Sequence, residues 1–362
     1  MKIPQCNPYL NYIANREAID SAITEVLNSG RYILGNAVKA FEQEYAAWHD
    51  CSGAVGVASG TDALELALRS LELPEQACVA VTSHTASATG IAILRAGLIP
   101  VFVDIDERTY NISPECLSEA IEENPDIAAV VVVHLYGAPA DMKKIMTLTD
   151  AKGIPVIEDC AQAHGATIAG QKVGTFGKCG AFSFYPTKNL GAMGDGGAVI
   201  SSDTALLRKL ALLRQYGWAE RFSCGSYGVN SRLDELQAAI LRVKLKNLEN
   251  DNGQRQKIAA QYLQELSDLP IILPITFTGH QHVYHQFVIR TPKRDQLQQY
   301  LADQGIGTAI HYPKMLHQQP LFAPYVLGDL KTLDDILSLP IFPEMSQEMV
   351  IYVTEKIREF FQ

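Results

Sequence analysis

Short apolar runs alternate with longer amphipathic segments between residues 53 and 200, and this alternation restricts the fold more than any other feature. The runs are rich in valine and isoleucine and apolar on both faces, as strands buried inside a parallel sheet are. They are Ala54–Ala58, Cys78–Thr82, Pro100–Val103, Ala128–His134, Pro155–Glu158, Ala181–Phe184 and Ala198–Ser201. Between them, segments such as Thr61–Leu71, Ala86–Ala96 and Pro139–Lys152 fit helices. The pattern predicts an α/β protein with a mostly parallel sheet, whose ligand sites lie at the carboxyl ends of strands.

The pattern changes near residue 250. A helix is predicted at Asp234–Leu248, and a polar stretch follows at 249–256. A second α/β region then contains a predicted strand at His285–Ile289, a helix at Arg294–Gln304 and a last helix capped by Ser346. We therefore predict a large domain at 1–250 and a small domain at 251–362, with residues 1–14 packing on the small domain.

Composition excludes several classes of protein. The 362 residues carry 30 Lys+Arg against 40 Asp+Glu, a formal net charge of −10, and 47% are hydrophobic. Such a chain is too apolar to be disordered, and its acidic balance argues against nucleic-acid binding. No apolar run approaches the ~20 residues of a membrane span, and the N-terminus lacks a signal-peptide core. Seven cysteines without CxxC spacing favour a reducing compartment, so we expect a cytoplasmic protein.

A lysine follows a predicted strand and precedes a glycine cluster in the segment FSFYPTKNLGAMGDGG (182–197). Glycines let the backbone take unusual dihedral angles or approach a ligand closely. A lysine at the carboxyl end of a strand, near buried surface, can have a lowered pKa, which suits Schiff-base chemistry at Lys188. The alternative is a surface lysine in a flexible loop.

Two carboxylates end another predicted strand in VIEDCAQAHGA (156–166). Carboxylates at that position usually face a site. Asp159 placed against a pyridine nitrogen would keep that nitrogen protonated, as pyridoxal phosphate requires. The alternatives are a helix N-cap by Asp159 and a metal site formed by Asp159, Cys160 and His164, although no complete zinc-like ligand set is visible.

A third segment, Ser59-Gly60-Thr61, joins a predicted strand to a helix. Free N–H groups and the helix dipole make such a turn a phosphate site, although ordinary Ser/Thr caps look the same. Taken together, the three segments provide a phosphate cradle, an acid for a pyridinium nitrogen and a lysine for a Schiff base.

The sequence resembles the DegT-type sugar aminotransferases, which are pyridoxal-phosphate enzymes with the aspartate aminotransferase fold (fold type I, a seven-stranded sheet). The motifs that carry the resemblance are RYILGNAVKAFEQEYA (31–46), ASGTDALELAL (58–68), PVFVDID (100–106), VHLYGAPADM (133–142), EDCAQAHGA (158–166), FSFYPTKNLGAMGDGG (182–197) and NSRLDELQAA (230–239). They extend over nearly the whole chain in order, which makes chance similarity a poor explanation.

The resemblance implies a role for individual residues toward pyridoxal 5′-phosphate. Lys188 would form the Schiff base and move the proton, Asp159 would pair with the pyridinium nitrogen, and Gln162 would lie against the ring face. The phosphate would be held by Gly60, Thr61, Ser183 and, from the neighbouring subunit, Asn230. The last assignment implies a homodimer with shared active sites, and its alternative is that Asn230 is an ordinary helix cap.

One departure concerns the residue that stacks on the cofactor ring. Many relatives carry an aromatic residue in a Thr-aromatic pair after the second strand, and here we expect His84 to take that place, with a buried core histidine as the alternative. With the motifs AQAHGA and HLYG, this form most resembles nucleotide-sugar 3-aminotransferases. Those enzymes aminate dTDP-3-oxo-6-deoxyhexoses with L-glutamate, giving 2-oxoglutarate, for the deoxyamino sugars of O-antigen lipopolysaccharide, S-layers or natural products.

Substrate contacts are expected from residues that would lie above the cofactor. The candidates are Tyr185 and the cluster containing His311, Tyr312 and His317. Arg31 and Tyr32 are candidates for the sugar diphosphate, where an arginine would give charge-assisted hydrogen bonds. The alternative for Arg31 is a solvated surface residue.

Three histidines in the stretch 280–285 suggest a metal site, but we predict none. On a strand His280 and His282 share a face and His285 points away, so a strand with exposed imidazoles explains them. For the function, the alternatives are a C-4 aminotransferase of a UDP- or GDP-linked 4-oxo sugar, a dehydratase on the same fold, and a non-enzymatic regulator. The dehydratase is disfavoured because such relatives replace the lysine at 188 with histidine.

Overall fold

The computed structural model describes residues 1–362. The strands are β1 (Gly53–Val57), β2 (Cys78–Thr82), β3 (Ile99–Val103), β4 (Ile127–Val133), β5 (Val156–Asp159), β6 (Thr167–Ile168), β7 (Gln171–Lys172), β8 (Cys179–Ser183), β9 (Gly197–Ser201), β10 (Trp218–Glu220), β11 (Ser223–Cys224), β12 (His280–Gln281), β13 (Phe287–Arg290) and β14 (Ile336–Leu339). The helices are α1 (Pro8–Ala14), α2 (Arg16–Ser29), α3 (Asn36–Trp48), α4 (Gly60–Ser70), α5 (Ser87–Arg95), α6 (Pro114–Glu123), α7 (Met142–Lys152), α8 (Thr204–Leu213), α9 (Glu235–Leu245), α10 (Leu248–Glu265), α11 (Arg294–Asp303) and α12 (Gln347–Phe361).

Seven strands form the central sheet in the order β1-β9-β8-β5-β4-β2-β3. β9 runs antiparallel to both of its neighbours, and the other four pairings are parallel. The predicted α/β class with a mostly parallel seven-stranded sheet is therefore confirmed. As a result, the carboxyl ends of six strands and the amino end of β9 meet at one edge of the sheet.

The sheet is buried on both faces, which explains the continuous apolar runs. On one face, α4, α5 and α8 pack over residues such as Val79, Val81 and Ile157. On the other face, α3 and α9 cover one half of the sheet and α6 and α7 the other half. No helix combines the length and the apolar character that a membrane span requires.

A separate apolar cluster lies in the C-terminal part of the chain. It joins α10, α11, α12 and the antiparallel pair β13–β14, and it includes Ile3 from the N-terminus. Ile3 also forms a parallel bridge with Ile306. Ser346 caps α12 as predicted, since its Oγ accepts from Met349 N–H at 3.2 Å. The division into two domains stays a prediction that these contacts support.

Two features of the C-terminal region differ from the prediction. The polar stretch 249–256 lies inside α10, so no linker separates the two parts at residue 250. Its polar residues are accommodated because the helix exposes one face to solvent. In addition, Leu316 and Phe322 leave the C-terminal cluster and pack with α4, α5 and β3 against the central sheet. That return brings the preceding residues His311 and Tyr312 to the carboxyl edge of the sheet.

Candidate active site

A cavity of about 340 Å³ lies at the carboxyl edge of the sheet. Six of the predicted cofactor residues line it, namely Gly60, Thr61, Asp159, Gln162, Ser183 and Lys188. They come from three different segments of the chain, each at the carboxyl end of one of the strands β1, β5 and β8. The topology therefore brings together residues that the sequence separates by up to about 130 positions.

One end of the cavity is the N-terminus of α4. Ser59 caps this helix, with its Oγ accepting from Asp62 N–H at 3.1 Å. Gly60 lies so close to the end of β8 that an added Cβ would stand 2.5 Å from the Cβ of Ser183. Only glycine therefore lets the N–H groups at the start of α4 lie beside the Ser183 hydroxyl, which is an arrangement suited to a phosphate.

Asp159 ends β5 in the middle of the same edge and is 4% exposed. Its two carboxylate oxygens accept from Ala161 N–H at 3.1 Å and from the Thr89 hydroxyl at 2.9 Å. Burial raises the pKa of Asp159, while these hydrogen bonds and the charge of Lys188 oppose the rise. No helix begins at Asp159, so the helix-cap interpretation is wrong. A protonated ring nitrogen is a partner that would stabilise this carboxylate in its ionised form.

Lys188 lies in the loop between β8 and β9, in a turn closed by a hydrogen bond from its N–H to Tyr185 C=O at 2.8 Å. Gly191 makes the loop tight, because an added Cβ would stand 2.4 Å from the carbonyl oxygen of Pro186. The buried Lys244 fixes the loop by donating to Gly191 C=O at 2.6 Å. Burial lowers the pKa of Lys188 to about 8, and Asp159 opposes the change. The amine is therefore easier to deprotonate than that of a solvated lysine, as a nucleophile and proton carrier requires.

Gln162 links the cavity to the C-terminal segment. Its Oε1 accepts from Tyr136 N–H at 2.7 Å, and its Nε2 donates to the Tyr312 hydroxyl at 2.9 Å. Because a backbone N–H fixes the orientation of the amide, the Tyr312 oxygen is the acceptor and its own proton stays available to a ligand. Tyr312, His311 and Tyr185 all line the cavity, as expected for the substrate candidates.

This set of groups fits pyridoxal 5′-phosphate. The helix terminus and Ser183 match the phosphate, Asp159 matches the ring nitrogen, and Lys188 matches the carbonyl carbon that a lysine attacks. The volume lies within the range of small-molecule pockets. The roles of the individual residues remain predictions.

The prediction that His84 stacks on the ring is wrong. His84 is fully buried and does not line the cavity, and its Nε2 lies 2.8 Å from the Tyr136 hydroxyl. The next two residues, Thr85 and Ala86, line the cavity instead. Thr85 and Ala86 lead into α5, whose first residues border the cavity, whereas His84 lies before this turn and is buried in the core.

Four predicted contacts lie outside the cavity of the single chain. Arg31 donates to a carbonyl of its own loop at 2.8 Å and lines a separate groove, while Tyr32 is 51% exposed. His317 is half-buried. Asn230 is exposed, and because α9 begins at Glu235 with Asp234 at the N-cap position, the helix-cap alternative for Asn230 is wrong. A role for Asn230 therefore requires a second subunit and stays a prediction.

The sequence predicted exposed imidazoles at 280–285, but two of these three histidines are buried. His282 is buried with its Nδ1 accepting from Tyr284 N–H at 2.8 Å, and His285 is buried and lines the cavity. His285 and Thr89 were not predicted as cavity residues. The concentration of histidines near 280 was the only signal for His285, and the sequence carried no signal for Thr89.

Another buried cluster contains His134, Glu158 and Cys160, whose ligand atoms lie within 4.8 Å of one another. His134 Nδ1 accepts from Ala140 N–H at 3.0 Å, so its Nε2 carries the proton that Glu158 accepts at 3.0 Å. Neither nitrogen has a free lone pair for a metal, and burial raises the pKa of the Cys160 thiol well above its usual range. The cluster instead connects β4 to β5 directly behind Asp159.

Comparison with known proteins agrees with this geometry. The family model described as the DegT/DnrJ/EryC1/StrS aminotransferase family matches residues 14–358. The chain is 42% identical to a dTDP-3-amino-3,4,6-trideoxy-alpha-D-glucose transaminase of Streptomyces venezuelae, covering 99% of this chain and 96% of the relative. It is 43% identical to a UDP-N-acetyl-3-dehydro-alpha-D-glucosamine 3-aminotransferase of Acidithiobacillus ferrooxidans, covering 98% and 97%.

Solved structures show the same fold. DesV of S. venezuelae, determined in complex with a ketimine intermediate, superposes with a TM-score of 0.96 at 41% identity, covering 100% of this chain and 99% of DesV. NtdA of Bacillus subtilis, with bound cofactor PMP, gives 0.89 at 29% identity, covering 96% and 82%. The chain therefore belongs to the DegT/DnrJ/EryC1/StrS aminotransferase family, whose enzymes depend on pyridoxal phosphate.

Proposed function

We propose that the protein transfers an amino group from L-glutamate to the C-3 carbonyl of a dTDP-linked 3-oxo-6-deoxyhexose. The observation that carries this proposal is the single cavity in which Lys188, Asp159 and the α4 N-terminus meet. The C-3 position is supported by the two relatives above, whose names both place the amine at C-3 although the nucleotides differ.

When bound, pyridoxal phosphate supplies an electron sink that makes the carbon bearing the amine acidic. The Nζ of Lys188 carries the proton between that carbon and the C4′ carbon of the cofactor. The lowered pKa of Lys188, about 8, favours this role. Asp159 keeps a proton on the ring nitrogen and thereby maintains the sink. Tyr312 donates its free hydroxyl proton to the substrate, and the α4 N-terminus with Ser183 fixes the phosphate.

The active sites are shared in a homodimer. Asn230 faces solvent, and the neighbouring residues Phe222 and Tyr227 are 74% and 77% exposed. Such exposed aromatic residues beside a predicted site residue are typical of an interface. All seven cysteines are free, which suits the cytoplasm, where nucleotide sugars are made.

The test is to offer the purified protein, pyridoxal phosphate and glutamate a panel of 3-oxo and 4-oxo nucleotide sugars. NMR of the product locates the amine, and Lys188→Ala is the inactive control. We expect 3-amino products, with the dTDP sugar preferred over the UDP sugar. Formation of 4-amino products alone would refute the C-3 assignment, and turnover by Lys188→Ala at the wild-type rate would refute the role of the lysine.

A further inference from the structure

Thr89 is a buried threonine of the cavity wall that the proposed mechanism does not use. It is 1% exposed, lies in the first turn of α5 and lines the same cavity as Lys188. Its hydroxyl oxygen lies 2.9 Å from Oδ2 of Asp159, which ends β5 and is 70 positions away in the sequence. The start of α5 therefore places a hydroxyl directly against the carboxylate that is proposed to face the ring nitrogen.

Other threonines in the helices of this chain use their hydroxyl differently. Thr24, Thr147 and Thr149 each donate to the carbonyl four residues earlier, as helical threonines commonly do. The residue four positions before Thr89 is Thr85, and there the contact is with the side-chain hydroxyl, at 3.1 Å. Thr89 thus directs its hydroxyl hydrogen away from its own backbone and toward a different strand.

The chemistry of the carboxylate fixes the direction of these hydrogen bonds. An ionised carboxylate only accepts and a hydroxyl has one hydrogen, so Thr89 donates to Asp159 and its oxygen accepts from the Thr85 hydroxyl. The other carboxylate oxygen, Oδ1, accepts from Ala161 N–H at 3.1 Å. Each oxygen therefore has one donor, which prevents the carboxylate from rotating and leaves a lone pair free for a ring N–H group.

The same two donors favour the ionised carboxylate. Burial raises the pKa of Asp159, whereas the hydrogen bonds from Ala161 and Thr89 lower it. The titratable groups that face the carboxylate are Lys188, His134, Cys160 and Tyr312. Among the side chains around Asp159, Thr89 is the one that donates a hydrogen bond to it.

We propose that Thr89 is a positioning residue whose hydroxyl holds the Asp159 carboxylate ionised and turned toward the ring nitrogen of the cofactor. Without this donor, the proton between the carboxylate and the ring nitrogen moves toward the carboxylate, and the ring becomes a weaker electron sink. No bond is made or broken at Thr89 itself. The inference rests on the proposed role of Asp159.

The experiment compares Thr89→Val, Thr89→Ser and a control, Thr149→Val, with the wild type. Valine keeps nearly the shape of threonine and removes the donor, whereas serine restores the hydroxyl. Thr149 is the matched control because it is also a fully buried helical threonine with one hydroxyl hydrogen bond, at 3.0 Å to Ile145 C=O, but it lies in α7 outside the cavity. Each holoenzyme is prepared with pyridoxal phosphate carrying ¹⁵N in the ring.

Solid-state ¹⁵N NMR reports the protonation of the ring nitrogen, and stopped-flow spectroscopy follows the glutamate half-reaction. In Thr89→Val we expect the ¹⁵N shift to move toward that of a neutral pyridine. We expect kcat of the half-reaction to fall roughly 5- to 50-fold with an unchanged KM, because one hydrogen bond to a charged group is lost. Thr89→Ser should recover the ¹⁵N shift and most of the rate, and the control should match the wild type in both.

A wild-type ¹⁵N shift in Thr89→Val would overturn the proposal whatever the rate of that variant, and so would a shift that serine does not restore. If Thr89→Val does not fold, neutron diffraction of the wild-type holoenzyme decides instead, since a Thr89 hydroxyl hydrogen directed at Thr85 would overturn the proposal. An unprotonated ring nitrogen in the wild type would refute the proposed role of Asp159 and this inference with it. Failure to aminate any keto sugar would refute the proposed substrate alone, because the ring-nitrogen measurement needs neither glutamate nor a sugar.

Discussion

Gly60→Ala tests whether the phosphate is held by the close approach of α4 to Ser183. The added Cβ would stand 2.5 Å from Ser183 Cβ, whereas ordinary contacts measure 3.4–4 Å, so the two segments must separate by about 0.9 Å. The segments have little freedom to do so, because an added Cβ at Gly197 between them would already stand 2.3 Å from Ser59 C=O. Overpacking of this kind costs about 1–3 kcal/mol. If the strain acts on the phosphate site, affinity for the cofactor falls roughly 5- to 150-fold.

The assay is calorimetric titration of cofactor-free protein with pyridoxamine 5′-phosphate, which forms no covalent bond to Lys188 and so reports only the non-covalent contacts, including those of the phosphate cradle. Thermal unfolding is measured in parallel. Gly253→Ala is the matched control, because Gly253 lies in α10 with nothing within 4 Å of an added Cβ. That change should stabilise the helix by up to about 1 kcal/mol and leave the affinity unchanged. Wild-type affinity in Gly60→Ala would refute the steric argument.

Three further predictions concern single side chains. Burial lowers the pKa of Lys188 to about 8, below the value of the unfolded chain, so its charge destabilises the fold below pH 8 and the cost disappears as pH rises toward 10.5. Lys188→Met should therefore raise the melting temperature of the cofactor-free protein at pH 7, with an advantage that shrinks between pH 8 and 10.5; a pH-independent advantage would contradict this. Asp159→Asn should reduce kcat/KM roughly 100- to 1000-fold, because the ring nitrogen loses its anionic partner, and a loss below tenfold in steady-state kinetics would argue against the pairing. His84→Asn should lower the melting temperature but leave the absorption spectrum of the bound cofactor unchanged, whereas a shifted spectrum would return His84 to the ring face.

The strands of the central sheet were predictable because their burial on both faces leaves continuous apolar runs. Every predicted run matches an observed strand to within two residues at each end. The boundary near residue 250 was not predictable, because a helix exposed on one face has the same polar composition as a linker. The packing of Leu316 and Phe322 against the central sheet was also not predictable, because an apolar residue does not by itself specify which of two cores it joins.

The net charge of −10 bears directly on ligand binding at the site. Both the phosphate cofactor and the proposed sugar diphosphate are anions, so the field of the whole protein opposes their binding. We therefore expect binding to rely on local groups, namely the α4 N-terminus, Ser183 and, across the proposed interface, Asn230. The composition shows that the overall charge repels these anions, and only the fold shows which local groups can attract them.

The sequence by itself determined the α/β class and the family, and it predicted the two residues that we propose carry the chemistry, Lys188 and Asp159. These are local properties, since strand periodicity and a carboxylate or lysine after a strand are visible along the chain. Tertiary structure alone decided which face each side chain takes: it buried His84 away from the cavity and placed His285 inside it. It also fixed the direction of the hydrogen bonds of Gln162, because the orientation of its amide depends on the N–H of Tyr136, which is distant in sequence.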